Sequence, residues 1–164
     1  MQKFEKLKYT TNISEIVLNY IKDVDKNQWF RTHGFDILKL PRNLFLSDAT
    51  CVKIFENFDC RPMVLKMSPN TFYRLHVDHQ RGAAINLFLS GEDSRTFFGD
   101  ATSESEIFNV QYLNYEKNSF YLLNVQYEHA VLNGNNDRYM LSMGFFEPYT
   151  YEQVLNYCIE HSLL

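Results

Sequence analysis

A mainly β fold with flanking helices, built on a jelly roll, is the class this sequence predicts, and three observations predict it. After Pro62 the chain breaks into about eight short alternating or fully apolar runs within ~85 residues, separated by turn residues such as Ser90-Gly91-Glu92-Asp93 and Asn133-Gly134-Asn135-Asn136-Asp137. Phe and Tyr number 14 and 11 among 164 residues, a supply that suits half-buried strands and pocket walls. Helical spacing of apolar residues is confined to segments before and after these runs.

From Ser14 to about Lys26, Ile16, Val17, Tyr20 and Ile21 recur at helical spacing, and Ser14 or Asn12 is placed to cap the start. A second short helix is expected from Asp48, as cap, through Val52, Ile54, Phe55 and Phe58. The expected strands are Met63–Met67, Phe72–Asp78, Ala83–Ser90, Thr96–Phe98, Ile107–Tyr112, Phe120–Asn124, His129–Leu132 and Arg138–Phe146. Thr150-Tyr151-Glu152-Gln153 offers a capping box, and Val154, Leu155, Cys158 and Ile159 give a last helix its apolar stripe. The helices at both ends are expected to cover one face of the β core. The length suits one domain over 1–164, with a β core at about 62–147.

Formal net charge is −4 and the basic residues are scattered, so the electrostatic footprint of a nucleic-acid binder is missing. No apolar run approaches the ~18 residues of a membrane span, and Met1-Gln2-Lys3-Phe4-Glu5 opens no signal-peptide core. The expectation is a cytoplasmic protein with neither membrane nor nucleic acid as partner. Cys51, Cys60 and Cys158 form an odd set without C-x-x-C spacing, which argues for buried or half-buried reduced thiols.

Residues two apart on a strand share a face, so Tyr73-Arg74-Leu75-His76-Val77-Asp78 places His76 and Asp78 side by side. Such a pair is either two ligands of a metal site or a surface histidine beside a carboxylate. His129 and Arg138 flank a Gly/Asn/Asp turn and fall on adjacent antiparallel strands. Two histidines and one carboxylate are the ligand set of the facial triad that holds non-haem Fe(II) and leaves positions open. An arginine facing the interior beside such a site suits bidentate capture of a carboxylate. His79 should point away from His76 and Asp78, and His33 and His161 lie outside the β core.

Met67-Ser68-Pro69-Asn70-Thr71-Phe72-Tyr73-Arg74-Leu75-His76-Val77-Asp78 resembles the pattern Pro-Gly-x-x-Tyr-x-x-His-x-Asp of the prolyl-hydroxylase-like Fe(II)/2-oxoglutarate oxygenases, with Asn70 where Gly is usual. Thr96-Phe97-Phe98 resembles the family's Thr-x-Phe, and Glu128 to Phe145 resembles the segment carrying the distal His and the basic residue. Glu92-Asp93-Ser94-Arg95 replaces the glycine pair that usually precedes Thr-x-Phe, and Arg138 stands where many prolyl hydroxylases have Lys. The resemblance covers roughly residues 62–147.

The resemblance implies a double-stranded β-helix (jelly roll, cupin-like) in which His76, Asp78 and His129 hold Fe(II) and Arg138 binds the distal carboxylate of 2-oxoglutarate. Tyr73 would touch the same co-substrate or serve as a core aromatic; Asn86 would touch it or satisfy a backbone group. The implied activity is that of a dioxygenase using O2, with ascorbate as a stimulant, which hydroxylates a substrate and releases succinate and CO2. A protein side chain of the Pro or Asn type, or a small amino-acid-like metabolite, is the implied substrate; one fold hosts many. The alternatives are a catalytically silent β-sandwich binding module and a cupin-type metalloenzyme that needs no 2-oxoglutarate.

Overall fold

The computed structural model describes residues 2–103 and 106–164. Its strands are β1 (Phe4–Thr10), β2 (Phe30–Thr32), β3 (Phe35–Lys39), β4 (Cys60–Met67), β5 (Phe72–His76), β6 (Ala83–Ser90), β7 (Arg95–Ser103), β8 (Glu106–Leu113), β9 (Ser119–Asn124), β10 (His129–Leu132) and β11 (Arg138–Phe145). The helices are α1 (Ile13–Lys22), α2 (Ala49–Asn57) and α3 (Tyr151–Glu160). All strand pairs are antiparallel, in a seven-stranded sheet of order β1-β9-β6-β11-β4-β3-β2 and a four-stranded sheet of order β5-β10-β7-β8. This is the double-stranded β-helix expected from the sequence, with additions.

Strand alternation sorts the larger sheet into two faces. Ile85, Leu87, Phe120, Leu122, Leu141 and Met143 pack with Ile13 and Val17 of α1 and Val154 and Cys158 of α3 in one buried cluster. Their neighbours Ala84, Tyr121 and Leu123 point the other way, into a second cluster with Phe98 and Leu113 of the smaller sheet. The helices therefore cover the outer face and the smaller sheet covers the inner one. Asn86, Arg138 and Ser142 fall on that inner face, so polar groups enter the space between the sheets by register alone.

β1, β2 and β3 lie outside the expected core of 62–147 and extend the larger sheet at both edges. β4 starts at Cys60 instead of after Pro62: the Pro62 carbonyl accepts a bond from Leu40 N (2.9 Å), and the ring's fixed φ is compatible with extended chain near a strand start. α1 ends at Lys22, earlier than Lys26, and neither expected cap acts through its side chain. Asn12 holds the cap position without a side-chain bond, while Thr11 Oγ1 accepts from Ile13 N (3.0 Å). Ile16, assigned to the apolar stripe, is exposed. Asp48 caps α2 through Cys51 N (2.8 Å), and α3 carries the full Thr150–Gln153 capping box. All three cysteines are buried and free. Among the described residues no helix is long and apolar enough to cross a membrane.

Candidate metal and carboxylate site

β5 ends at His76, so Asp78 lies just beyond the strand instead of on it. Its position is fixed by its own amide, which donates to Val125 O (2.9 Å). β10 pairs with β5 on one side and β7 on the other, and the register sets His129 directly opposite His76. The two imidazoles lie 4.2 Å apart between centroids, and the ligand atoms of His76, Asp78 and His129 fall within 4.8 Å of one another. No other such cluster of three His, Cys, Asp or Glu groups occurs among the described residues.

Each donor is oriented by a second contact. His76 Nδ1 faces Arg74 O (2.8 Å) and His129 Nδ1 faces Tyr127 O (2.9 Å), which leaves both Nε2 lone pairs for a metal. Burial pushes the pKa of His129 down to about 4 against the pull of the Tyr127 carbonyl, so the ring is neutral near pH 7. Burial alone would raise the Asp78 pKa; its contact with His76 and the charge of Arg81 outweigh that and hold the carboxyl well below the usual range. The neutral imidazole of His129 and the ionised carboxylate of Asp78 are the protonation states a divalent cation requires.

Arg138, at the start of β11, is 3% exposed between the sheets. Its Nη2 donates to Thr96 Oγ1 (3.1 Å) on β7, Nε has no partner, and Tyr115 is its other polar neighbour. A cation this deep without a carboxylate is costly, and among the described residues none pairs with it. Asn86 Oδ1 and Ser142 Oγ, on paired positions of β6 and β11, are also buried and unpartnered. Two of these orphaned groups, Arg138 Nε and Ser142 Oγ, are donors on one inner face and fit an acid with a free carboxylate, and the donor set of His76, Asp78 and His129 fits Fe(II).

Tyr73 reaches His76 through a break in alternation. They stand three positions apart, but β5 bulges against β10, where His129 pairs with His76 and Val131 with Tyr73, so both side chains take the same face. The rings meet edge-on at 4.4 Å, and Phe35 of β3 packs on Tyr73 at 4.7 Å. Asn70, standing where the resembled pattern has Gly, has φ +53, a left-handed conformation that Asn tolerates. His33, His79 and His161 are all exposed, away from the cluster.

Tyr115 and Arg81 escaped the sequence reading as site residues. Tyr115 sits in the loop between β8 and β9, its ring stacked on Phe88 (5.8 Å, 14°), and nothing in strand periodicity points to it. Arg81 donates through Nε to Asp78 Oδ2 (2.6 Å); three residues after a candidate ligand, it carried a faint signal. Behind Arg138 stands Gly91, φ +116, where an added Cβ would lie 2.8 Å from Arg138 Cα. Gly91→Ala is expected to lower stability by about 1–3 kcal/mol and to displace Arg138, measured as the denaturant midpoint with and without 2-oxoglutarate.

No family model and no curated protein matches the sequence. Solved structures do match. A prolyl-4-hydroxylase of Pseudomonas putida superposes with a TM-score of 0.66 at 12% identity, over 90% of this chain and 94% of that one. HygX of Streptomyces hygroscopicus, with nickel and 2-oxoglutarate bound, gives 0.64 at 11%, over 90% and 84%. A prolyl hydroxylase of Trichoplax adhaerens, in complex with a hypoxia inducible factor peptide fragment, gives 0.61 at 14%, over 93% and 86%. At these identities the likeness is one of fold: the chain has the architecture of the 2-oxoglutarate/Fe(II) oxygenases.

Proposed function

We propose that the chain is a non-haem Fe(II)- and 2-oxoglutarate-dependent dioxygenase, a hydroxylase of a protein side chain of the Pro or Asn type or of a small amino-acid-like molecule. The observation that carries this reading is Arg138: a buried guanidinium without a carboxylate, set between the same two sheets as the cluster of His76, Asp78 and His129. A metalloenzyme that needs no 2-oxoglutarate would leave that charge without a counterion.

Bound at such a site, ferrous iron and 2-oxoglutarate supply oxygen activation and the electrons for hydroxylation, with succinate and CO2 as co-products. The chain's own groups do the placing. His76, Asp78 and His129 would hold the metal, each through one ligand atom. Arg138 would take the distal carboxylate in a charge-assisted pair, with the Thr96 and Tyr115 hydroxyls beside it, and so fix which end of the co-substrate faces the metal. Tyr73, wedged between Phe35 and His76, would limit water at the metal's edge. The unpartnered Ser142 hydroxyl is free to donate to the co-substrate's oxygens, whereas the unpartnered atom of Asn86, Oδ1, can only accept.

Among proteins of similar fold, HygX is solved with hygromycin B bound and the Trichoplax enzyme with a peptide fragment, which supports keeping both a small molecule and a protein side chain as substrate classes. Anaerobic addition of Fe(II) and then 2-oxoglutarate is expected to give the weak visible charge-transfer band of the chelate. Aerobic incubation with peptide and metabolite extracts is expected to yield a product heavier by one oxygen. Metal binding without the band would favour the metalloenzyme that needs no 2-oxoglutarate; no metal binding at all would favour a binding module.

A further inference from the structure

The ligands of the metal site come from two separate turns, and two side chains outside the ligand set tie those turns together. Gln126, in the turn between β9 and β10, donates from Nε2 to Asp78 O (2.5 Å) and to Arg81 O (2.8 Å). The same turn receives the Asp78 amide at Val125 O and, through Tyr127 O, orients the ring of His129. Arg81 closes the 78–81 loop from the other side by donating Nε to Asp78 Oδ2 (2.6 Å), which leaves Oδ1 toward His76 Nε2 (3.4 Å). One carboxylate oxygen is thus committed to the protein and one is presented to the site.

From this geometry we infer that Arg81 and Gln126 are positioning residues for the metal: Gln126 fixes the spacing between the Asp78 and His129 turns, and Arg81 makes Asp78 a ligand through a single oxygen. The inference rests on the reading of His76, Asp78 and His129 as a metal centre. It has a chemical consequence. A carboxylate free to rotate can bind a metal through both oxygens and fill a position that the co-substrate or oxygen needs; a carboxylate with Oδ2 held by a guanidinium cannot. It also makes an electrostatic counter-prediction, since removing a cation beside a dication site should on Coulomb grounds alone tighten metal binding. Weaker binding after loss of Arg81 would therefore report orientation, because charge acts in the opposite direction.

The test is an anaerobic titration of the metal-free full chain with Fe(II) alone, and with Co(II) alone, in wild type, Gln126→Leu, Arg81→Met and Arg81→Lys, alongside the thermal midpoint of each metal-free protein. Gln126→Leu and Arg81→Met are expected to weaken metal binding by about 10- to 100-fold, the usual cost of losing a group that orients a ligand. Arg81→Lys is expected to recover part of the loss, because an ammonium can still occupy Oδ2. Metal affinity within about threefold of wild type, or tighter, in Gln126→Leu or in Arg81→Met removes that residue from the role, whatever happens to the midpoint. If either of these variants fails to fold, the milder Arg81→Gln or Gln126→Asn takes its place, and metal affinity within about threefold of wild type in that variant overturns the role of that residue. Wild-type protein that binds no divalent metal would sink the metal centre itself, a result distinct from intact binding that ignores these substitutions.

Discussion

Arg138→Met is expected to have opposite effects on two measurements. Affinity for 2-oxoglutarate should fall by about 2–5 kcal/mol, roughly 30- to 4,000-fold, since the substitution removes one partner of a buried charge pair. Stability of the protein without ligands should rise, by about 1–4 kcal/mol, because an apolar side chain of similar length replaces a guanidinium whose Nε has no partner and whose charge meets only hydroxyls. Calorimetric titration with 2-oxoglutarate and denaturant melts of the ligand-free protein check the two halves. An Arg138→Met protein that melts earlier and still forms the co-substrate chelate would show that the arginine serves packing, and would remove the main support for 2-oxoglutarate.

His76→Ala and Asp78→Ala are each expected to lower Fe(II) affinity by more than about 100-fold, beyond the cost of losing an orienting group, and to abolish the charge-transfer band and succinate release. Their effects on folding should diverge. Asp78 is mostly buried and ion-paired with Arg81, so its removal leaves a guanidinium without its partner, whereas His76 is half-buried and bonded through one ring nitrogen. Succinate release at the wild-type rate in either variant would overturn the ligand assignment.

Much of this was legible in the sequence, for reasons that can be traced. Ala83–Ser90 and His129–Leu132 have the bounds their apolar runs predict, because each run opens on three buried residues and is bounded by turn residues. The three N-terminal strands were missed: β1 shows Leu7 as its only buried residue, and β2 has three residues, so neither offers a core face to read. His76 and His129 were found because their ligand chemistry is rare and their strands pair. Tyr115 was not, because a loop places it and only the folded sheets show what it meets. The Tyr73 contact depended on a bulge that local alternation argues against.

The order of the smaller sheet has a dynamic consequence. β5 is one of its two edge strands and is held by β10 alone, with a bulge in that pairing, while the larger sheet is sealed under helices. His76 and His129 face each other across this one seam. A dication bound there would rivet an edge strand to its one partner, so local opening, not global unfolding, is the motion that metal release would free. Metal binding would then stiffen the smaller sheet, with the helix-covered sheet as its fixed anvil.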